Sequence, residues 1–365
     1  MIFDPITICN IDIQNRFVRS ATHEFMAEKD GKPTTRLGDL YEALAKNEVM
    51  LIITGYSYVL LGGQSDIFQQ GIYEDRFVEA YQKITEKVHR YRSKIVLQIV
   101  HAGRQATISE EYSVPIAPSE IKGIHSAVTP REMTEQEILE VIEAFTRAAS
   151  RAKKSGFDGI QLHCAHGFLL SDFISAYTNR RTDCWGGSVE NRTRIVTEIV
   201  RCIKKQVGVD FPILVKLNAT AGLRPNSQQA EIGVEISQVI EIAKILEKAG
   251  VCAIEVSGGM SKTSGVTIKL AINSPTKEAY FREYSKAIKK ALNIPVILVG
   301  GIRSLSIMEH LLENGFADMI SMSRSFICEP DLVLKLKSGK ATKARCVSCN
   351  LCFDIEGIKC NFEFD

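Results

Sequence analysis

Four groups of residues in this 365-residue chain could do chemistry by their type and spacing. His163 and His166 stand three apart after an apolar run, so both imidazoles can face one pocket if the chain turns into a helix there. Such a pair can hold a carbonyl or phenolate oxygen by hydrogen bonds. Zinc ligation and a purely structural pair compete with that reading, and no third histidine or carboxylate sits close by in sequence. Gln98 and Lys216 interrupt apolar runs, where a lone amide or ammonium costs several kcal/mol unless partnered. A polar, partly anionic ligand would supply the partners; solvent or a neighbouring carboxylate would do so too. Gly300-Gly301 and Ser323-Arg324 follow two further runs and suit a phosphate cradle of exposed backbone N–H groups, although a Gly-Gly pair is also a plain turn. Last, Cys346-x-x-Cys349-Asn350-x-Cys352, then seven residues to Cys360, brings four thiols near one centre. That spacing admits a [4Fe-4S] cluster, a tetrahedral zinc or four unliganded thiols.

The elements that position these groups follow from the apolar pattern. Eight runs read as strands: Phe17 to Ser20, Met50 to Thr54, Ile95 to Val100, Gly159 to Leu162, Ile213 to Leu217, Ala253 to Val256, Val296 to Val299 and Met319 to Met322. Most are continuous rather than alternating, as expected of parallel strands buried on both faces. Helical patterns lie between them at Glu135 to Ser155, Glu190 to Val207, Gly233 to Ala249, Glu278 to Leu292 and Ile307 to Gly315. Thr134-x-x-Glu137 has the form of a capping box, and Asp331 starts a helix after Pro330. Eight strand-helix units imply a (β/α)8 TIM barrel, with a doubly wound open sheet as the competing architecture. Ahead of the first strand, Ile6 to Ile8 and Ile11 to Ile13 flank Cys9-Asn10 and predict an N-terminal β-hairpin plugging the barrel's bottom. One boundary is placed at 344, dividing a barrel of residues 1–343 from a cysteine-rich C-terminal tail of residues 344–365.

Composition narrows the function classes. The net charge of +2 gives no general attraction to nucleic acid or an anionic membrane. The most apolar stretch, Met50 to Gly63, is interrupted by Thr54, Gly55, Tyr56 and Ser57 and falls short of the roughly 20 residues that span a bilayer. Asp4 and Asp12 precede the first basic residue, Arg16, unlike a secretory signal, so a cytoplasmic location is expected. In such a compartment, crowding four of ten cysteines into the last 20 residues points to metal rather than disulfides.

One long block is specific enough to identify a family resemblance. Leu170-Ser171-Asp172-Phe173, Thr178-Asn179-Arg180-Arg181-Thr182-Asp183 and Gly186-Gly187-Ser188-x-Glu190-Asn191-Arg192 resemble the signature of the old yellow enzyme superfamily. The chain is most similar to its branch of NADH:flavin oxidoreductases related to 2,4-dienoyl-CoA reductase and trimethylamine dehydrogenase. Asn15-Arg16-x-x-Arg19-Ser20-Ala21, His101-Ala102-Gly103-Arg104 and Val215-Lys216-Leu217-Asn218 match in order. The resemblance implies a barrel holding FMN non-covalently at its mouth. Ser20, Ala21 and Thr22 would contact the flavin, with Tyr56 beside the ring and Gln98 on its pyrimidine edge. Lys216 would sit near N1 and O2, and Gly300, Gly301, Ser323 and Arg324 would hold the phosphate. His163 and His166 would be the oxygen-binding catalytic pair, for hydride transfer from NAD(P)H through flavin to an activated C=C of an unsaturated carbonyl compound. It also favours an iron-sulfur cluster at Cys346, Cys349, Cys352 and Cys360, although the gap before Cys360 is shorter than in those relatives.

Two departures qualify this. Members commonly place a proton-donating tyrosine two residues after the second histidine, where this chain has Phe168, leaving Tyr56, Tyr177, His23 or water for that task. No Gly-x-Gly-x-x-Gly follows a strand, so electrons are expected from NAD(P)H directly or from a separate protein docking at the tail. The expected partner is a small or CoA-linked unsaturated carbonyl compound, and a homo-oligomer is left open. Oxidative cleavage of an amine is the alternative reaction. A non-enzymatic zinc-tail scaffold is the third reading, disfavoured because Lys340, Lys343, Arg345, Lys359 and Phe353 are too sparse for a nucleic-acid face.

Overall fold

Continuous β-branched and aliphatic runs lose least when they are covered on both faces, and the chain meets that demand by closing its strands into a cylinder. The computed structural model describes residues 1–123, 128–220, 235–260 and 268–364. A hairpin of β1 (Ile6–Ile8) and β2 (Ile11–Ile13) leads into β3 (Phe17–Arg19) and β4 (Leu51–Ile53). The short β5 (Ser57–Tyr58), β6 (Lys94–Val100) and the two-residue pair β7 (Ile116–Ala117) and β8 (Arg131–Glu132) follow. The series ends with β9 (Gly159–Cys164), β10 (Ile213–Asn218), β11 (Ala253–Ser257), β12 (Val296–Val299) and β13 (Met319–Met322). β3, β4, β6 and β9 to β13 pair in parallel all round, β13 returning to β3 and β4 joining β6. These are the eight expected strands, and the barrel rather than the open sheet is what forms.

Around them lie α1 (Thr35–Lys46), α2 (Val78–His89), α3 (Glu135–Lys154), α4 (Leu169–Ile174) and α5 (Val189–Val207), followed by α6 (Ile236–Ala249), α7 (Arg282–Ala291), α8 (Leu305–Glu313), α9 (Arg324–Cys328) and α10 (Leu332–Lys337). The Thr134 capping box forms as read, with the Thr134 hydroxyl accepting from the Glu137 N–H and the Glu137 carboxylate accepting from the Thr134 N–H. α10 begins after Asp331 as expected. α7 starts at Arg282 rather than Glu278. The Glu278 carboxylate is spent elsewhere, accepting from the backbone N–H groups of Arg303 and Ser304 and from the Ser304 hydroxyl. The expected start of α6 at Gly233 lies outside the described residues. Among those residues no helix is long and apolar enough to cross a membrane.

The hairpin closes the bottom. Ile8, Ile11 and Ile13 pack under Val18, Leu51, Ile53, Val96, Leu214, Ala253, Ile297 and Met319, forming a dry layer at the strands' N-terminal ends. Cys9, in the hairpin turn, is disulfide-bonded to Cys252, just before β11, with Cα atoms 5.5 Å apart. The reading of the clustered tail cysteines toward metal did not reach this pair, and the four tail cysteines are not disulfide-bonded. Clustering in the tail says nothing of two cysteines 243 residues apart that the closing of the barrel brings together.

Candidate functional site

One cavity of about 600 Å³ opens at the C-terminal ends of the strands. That volume lies within the range of small-molecule and cofactor sites. Ser20, Ala21, Thr22, Tyr56, His166, Lys216, Gly301, Ser323 and Arg324 all line it. Gln98, His163 and Gly300 belong to the same region, but the cavity wall is formed by their neighbours.

Beneath the cavity the inward side chains turn polar. Ser20 and Ser321 donate their hydroxyls to Glu255 Oε1 at 2.7 and 2.8 Å. Gln161 Nε2 donates to Glu255 Oε2 at 2.9 Å, and Gln98 Nε2 to Gln161 Oε1 at 2.6 Å. Lys216 Nζ lies 3.4 Å from Glu255 Oε2 and donates to Ser20 Oγ at 2.9 Å. Of the partners foreseen for Lys216, a neighbouring carboxylate is the one found. Burial pushes the Lys216 ammonium down while Glu255 holds it up. Gln98 Oε1 is buried with no hydrogen-bond partner. Such an acceptor is costly until something donates to it.

The histidine pair forms, though no helix brings it together. His163 lies within β9, and the chain then bends through His166, whose φ is +64°, before α4 begins at Leu169. The rings still meet edge to face at 5.1 Å. Burial lowers His166 to about 3, with the Lys216 charge adding to it, and holds His163 well below the usual range, with His166 and Lys216 adding to it. Both are therefore neutral at neutral pH. His163 Nδ1 accepts from the Ala165 N–H at 3.3 Å, which leaves Nε2 to carry its proton as a donor. His166 Nε2 is anchored by Ser257 Oγ at 2.8 Å. Phe168 meets His163 edge-on at 4.7 Å and lies tilted against Tyr56 at 5.4 Å, and His23 lies 5.3 Å from Tyr56, making an aromatic wall. Burial raises the Tyr56 phenol strongly, so it keeps its proton at any ordinary pH. Tyr177 does not line the cavity.

At the other end, Gly300 and Gly301 have φ of +140° and +68°, and a Cβ on Gly301 would come within 2.9 Å of the Tyr280 ring. That turn therefore requires glycine, packed against Tyr280, while Gly301 lines the cavity together with Ser323, whose hydroxyl is 2.6 Å from that of Thr22. Arg324 donates to Asn350 Oδ1 at 2.6 Å and so ties the cavity to the tail. A second, small cavity behind it is lined by Cys346, Cys349, Cys352 and Cys360, and also by Cys328 at the end of α9. Burial raises Cys328 to about 12, with contacts to Cys360 adding to it, and raises Cys352 to about 11. Among the described residues no three His, Cys, Asp or Glu side chains converge closely enough to hold a single metal ion.

The signature block proves to be architecture. Asn179 Nδ2 donates to the carbonyls of Phe173 and Trp185, Thr178 to that of Asp172, and Arg192 to those of Ile174 and Gly187. These bonds fix the loop that carries α4 and hence the floor beneath Phe168. Glu255, Gln161, Cys328 and the Cys9–Cys252 pair were missed from sequence. An acid inside the apolar run Ala253-Ile254-Glu255-Val256 was the signal available for Glu255.

The comparisons agree with this geometry. A profile described as the NADH:flavin oxidoreductase / NADH oxidase family matches residues 1–343. A curated NADH oxidase from Thermoanaerobacter brockii is 38% identical over 356 residues, covering 96% of this chain and 53% of that one. The chain thus spans about half the length of that relative. An NADPH dehydrogenase from Bacillus subtilis (strain 168) is 35% identical over 330 residues, covering 90% of this chain and 92% of the relative. Among solved structures, a 2-naphthoyl-CoA reductase in complex with 2-naphthoyl-CoA superposes with a TM-score of 0.84 at 26% identity, covering 94% of this chain and 53% of that one. With its closed barrel, its cavity at the strand ends and a family match over residues 1–343, the chain belongs to the NADH:flavin oxidoreductase / NADH oxidase family, within the old yellow enzyme superfamily.

Proposed function

We propose that the chain is an ene-reductase type oxidoreductase that binds FMN in the 600 Å³ cavity and reduces an activated C=C of a small or CoA-linked unsaturated carbonyl compound. The residues fit the cofactor. Gln98 Oε1 is a buried acceptor awaiting a donor, Lys216 supplies a cation in the cavity wall, and Gly301, Ser323 and Arg324 line the same cavity. When bound, FMN supplies hydride transfer, with NAD(P)H as the reductant. The observation that carries the reading is the neutral edge-to-face pair of His163 and His166 beside the Lys216 wall. Neutral imidazoles donate to a carbonyl oxygen without placing a full charge on the substrate.

Tyr56 takes the proton-donating role that Phe168 cannot fill. It lines the cavity, its ring lies 5.9 Å from that of His163, and its phenol carries a proton at neutral pH. The 2-naphthoyl-CoA reductase, whose structure holds an aromatic CoA thioester, supports a conjugated and CoA-linked substrate class. The tail from residue 344 onward is read as a [4Fe-4S] unit. The donor set is entirely thiol and lines one cavity next to Arg324, which suits a cluster better than a single ion. Cys346 lines both cavities, which supports reading the tail centre as a neighbour of the flavin site.

Anaerobic turnover with NADPH and 2-cyclohexen-1-one tests the reaction, with a tertiary amine series run in parallel. Alkene reduction supports the reading, whereas turnover of amines alone replaces it with C–N oxidation. Iron and acid-labile sulfide near four each per chain support the cluster, while zinc without iron removes it.

A further inference from the structure

The hydrogen bonds below the cavity run in one direction because one member can only accept. Glu255, on β11, is fully buried, and its two oxygens receive Gln161, the Lys216 ammonium and Ser321 from β9, β10 and β13 and Ser20 from the end of β3. With four donors on its two oxygens, an ammonium among them, the carboxylate takes only the acceptor's part. Gln161 must therefore turn its NH₂ toward Glu255, which turns its carbonyl toward Gln98, which must turn its own NH₂ back. The Gln98 carbonyl is left as the unpaired acceptor, with the orientation of both amides settled by the acid at the end of the relay. The same carboxylate stands in register with Lys216 across β10 and β11 and offsets its charge.

We propose that Glu255 is a positioning residue of the flavin site. Through Gln161 it fixes Gln98 as a hydrogen-bond acceptor for an N–H group of the bound ring, and through Lys216 it lowers the reduction potential of that ring. The inference rests on the FMN reading above. An uncompensated Lys216 would favour the anionic reduced cofactor, so the acid restrains that preference and keeps the reduced state a stronger hydride donor. Arg19, on β3, is the other cation that acts on Lys216, and it is already engaged by Glu24 at 2.6 Å.

The test measures FMN affinity and the two-electron midpoint potential of purified wild-type protein, Glu255→Gln and Gln161→Met. Glu255→Gln is expected to favour reduced over oxidised FMN at least tenfold more than wild type does, a rise of about 30 mV. Gln161→Met keeps the acid and the lysine but cuts the relay, so it should weaken oxidised FMN about tenfold and move the affinity ratio less than twofold. An unchanged or lowered potential in Glu255→Gln overturns the charge role, and an unchanged FMN affinity in Gln161→Met overturns the relay. Should Glu255→Gln fail to fold, Gln161→Met still decides the relay and Glu255→Asp, which draws the carboxylate back from Lys216, decides the charge role: a raised potential is expected and an unchanged one overturns it. A wild-type chain that binds no FMN refutes the cofactor reading itself.

Discussion

The two ends of the barrel use the same strands for opposite purposes, and the change takes two residues. Val18, Val96, Leu214, Ala253 and Met319 face the dry layer over the hairpin. Two positions further along the same strands stand Ser20, Gln98, Lys216, Glu255 and Ser321, all buried and all polar. A step of two residues keeps the side chain inward and advances roughly 6.6 Å. Within that distance the interior passes from hydrocarbon that water leaves freely to groups that would be costly there without each other. The bottom is held by area and by a covalent bond, the top by mutual satisfaction with one acceptor left over. Stability and chemistry are therefore separable by layer, and mutations should sort accordingly.

The sharpest division is expected from Tyr56→Phe. Losing the proton donor should reduce alkene turnover by about 10² to 10⁴-fold while leaving the melting temperature near that of wild type. Stopped-flow oxidation of the reduced enzyme by 2-cyclohexen-1-one checks it. An unchanged rate hands the proton to His23 or water. Phe168→Tyr in the same background should restore part of the lost rate.

The opposite pattern is expected at the bottom. Cys9→Ser removes the bond closing a long loop and should cost about 2 to 4 kcal/mol in urea denaturation, without changing FMN affinity. A variant that loses flavin as well would show that the layers are coupled.

Acid should affect the top first. His166 is held to about 3 and His101 to about 4 by burial, against about 6.5 in the unfolded chain. Between those values the unfolded chain binds more protons, so stability is complete above about pH 6.5 and falls as pH drops toward 3. His166→Gln should flatten the dependence of the unfolding free energy of flavin-free protein by about 1.4 kcal/mol per pH unit between pH 6 and 4. An unaltered slope would mean that His166 titrates normally.

The smallest effect expected is a contrast within the tail. If the tail is the proposed cluster held by Cys346, Cys349, Cys352 and Cys360, Cys346→Ser should lose iron and Cys328→Ser should retain it, although Cys328 lines the same cavity. Iron lost from Cys328→Ser would make the α9 thiol a ligand in place of Cys360.

Much of this was legible because it is local. Largely apolar runs mark all eight strands, Thr134 and Glu137 mark a helix start, and Cys9-Asn10 between isoleucines marks the hairpin. Lys216 and Gln98 stand out as polar residues in such runs. What stayed hidden is relational. Glu255 has meaning only through Gln161, Lys216 and Ser321 on three other strands and Ser20 at the end of a fourth, and Cys9 finds Cys252 only once the barrel closes. The signature block from Leu170 to Arg192 identified the family yet mostly ties backbone to side chain, so recognition there came from architecture rather than from reacting groups.

Titration of FMN into flavin-free protein, followed by quenching of flavin fluorescence, is the most direct measurement. One equivalent taken up per chain, with binding weakened at least tenfold in Gln98→Leu, is the expected result. No uptake by the wild-type chain, or equal binding in Gln98→Leu, would contradict the assignment of the polar layer as a flavin site.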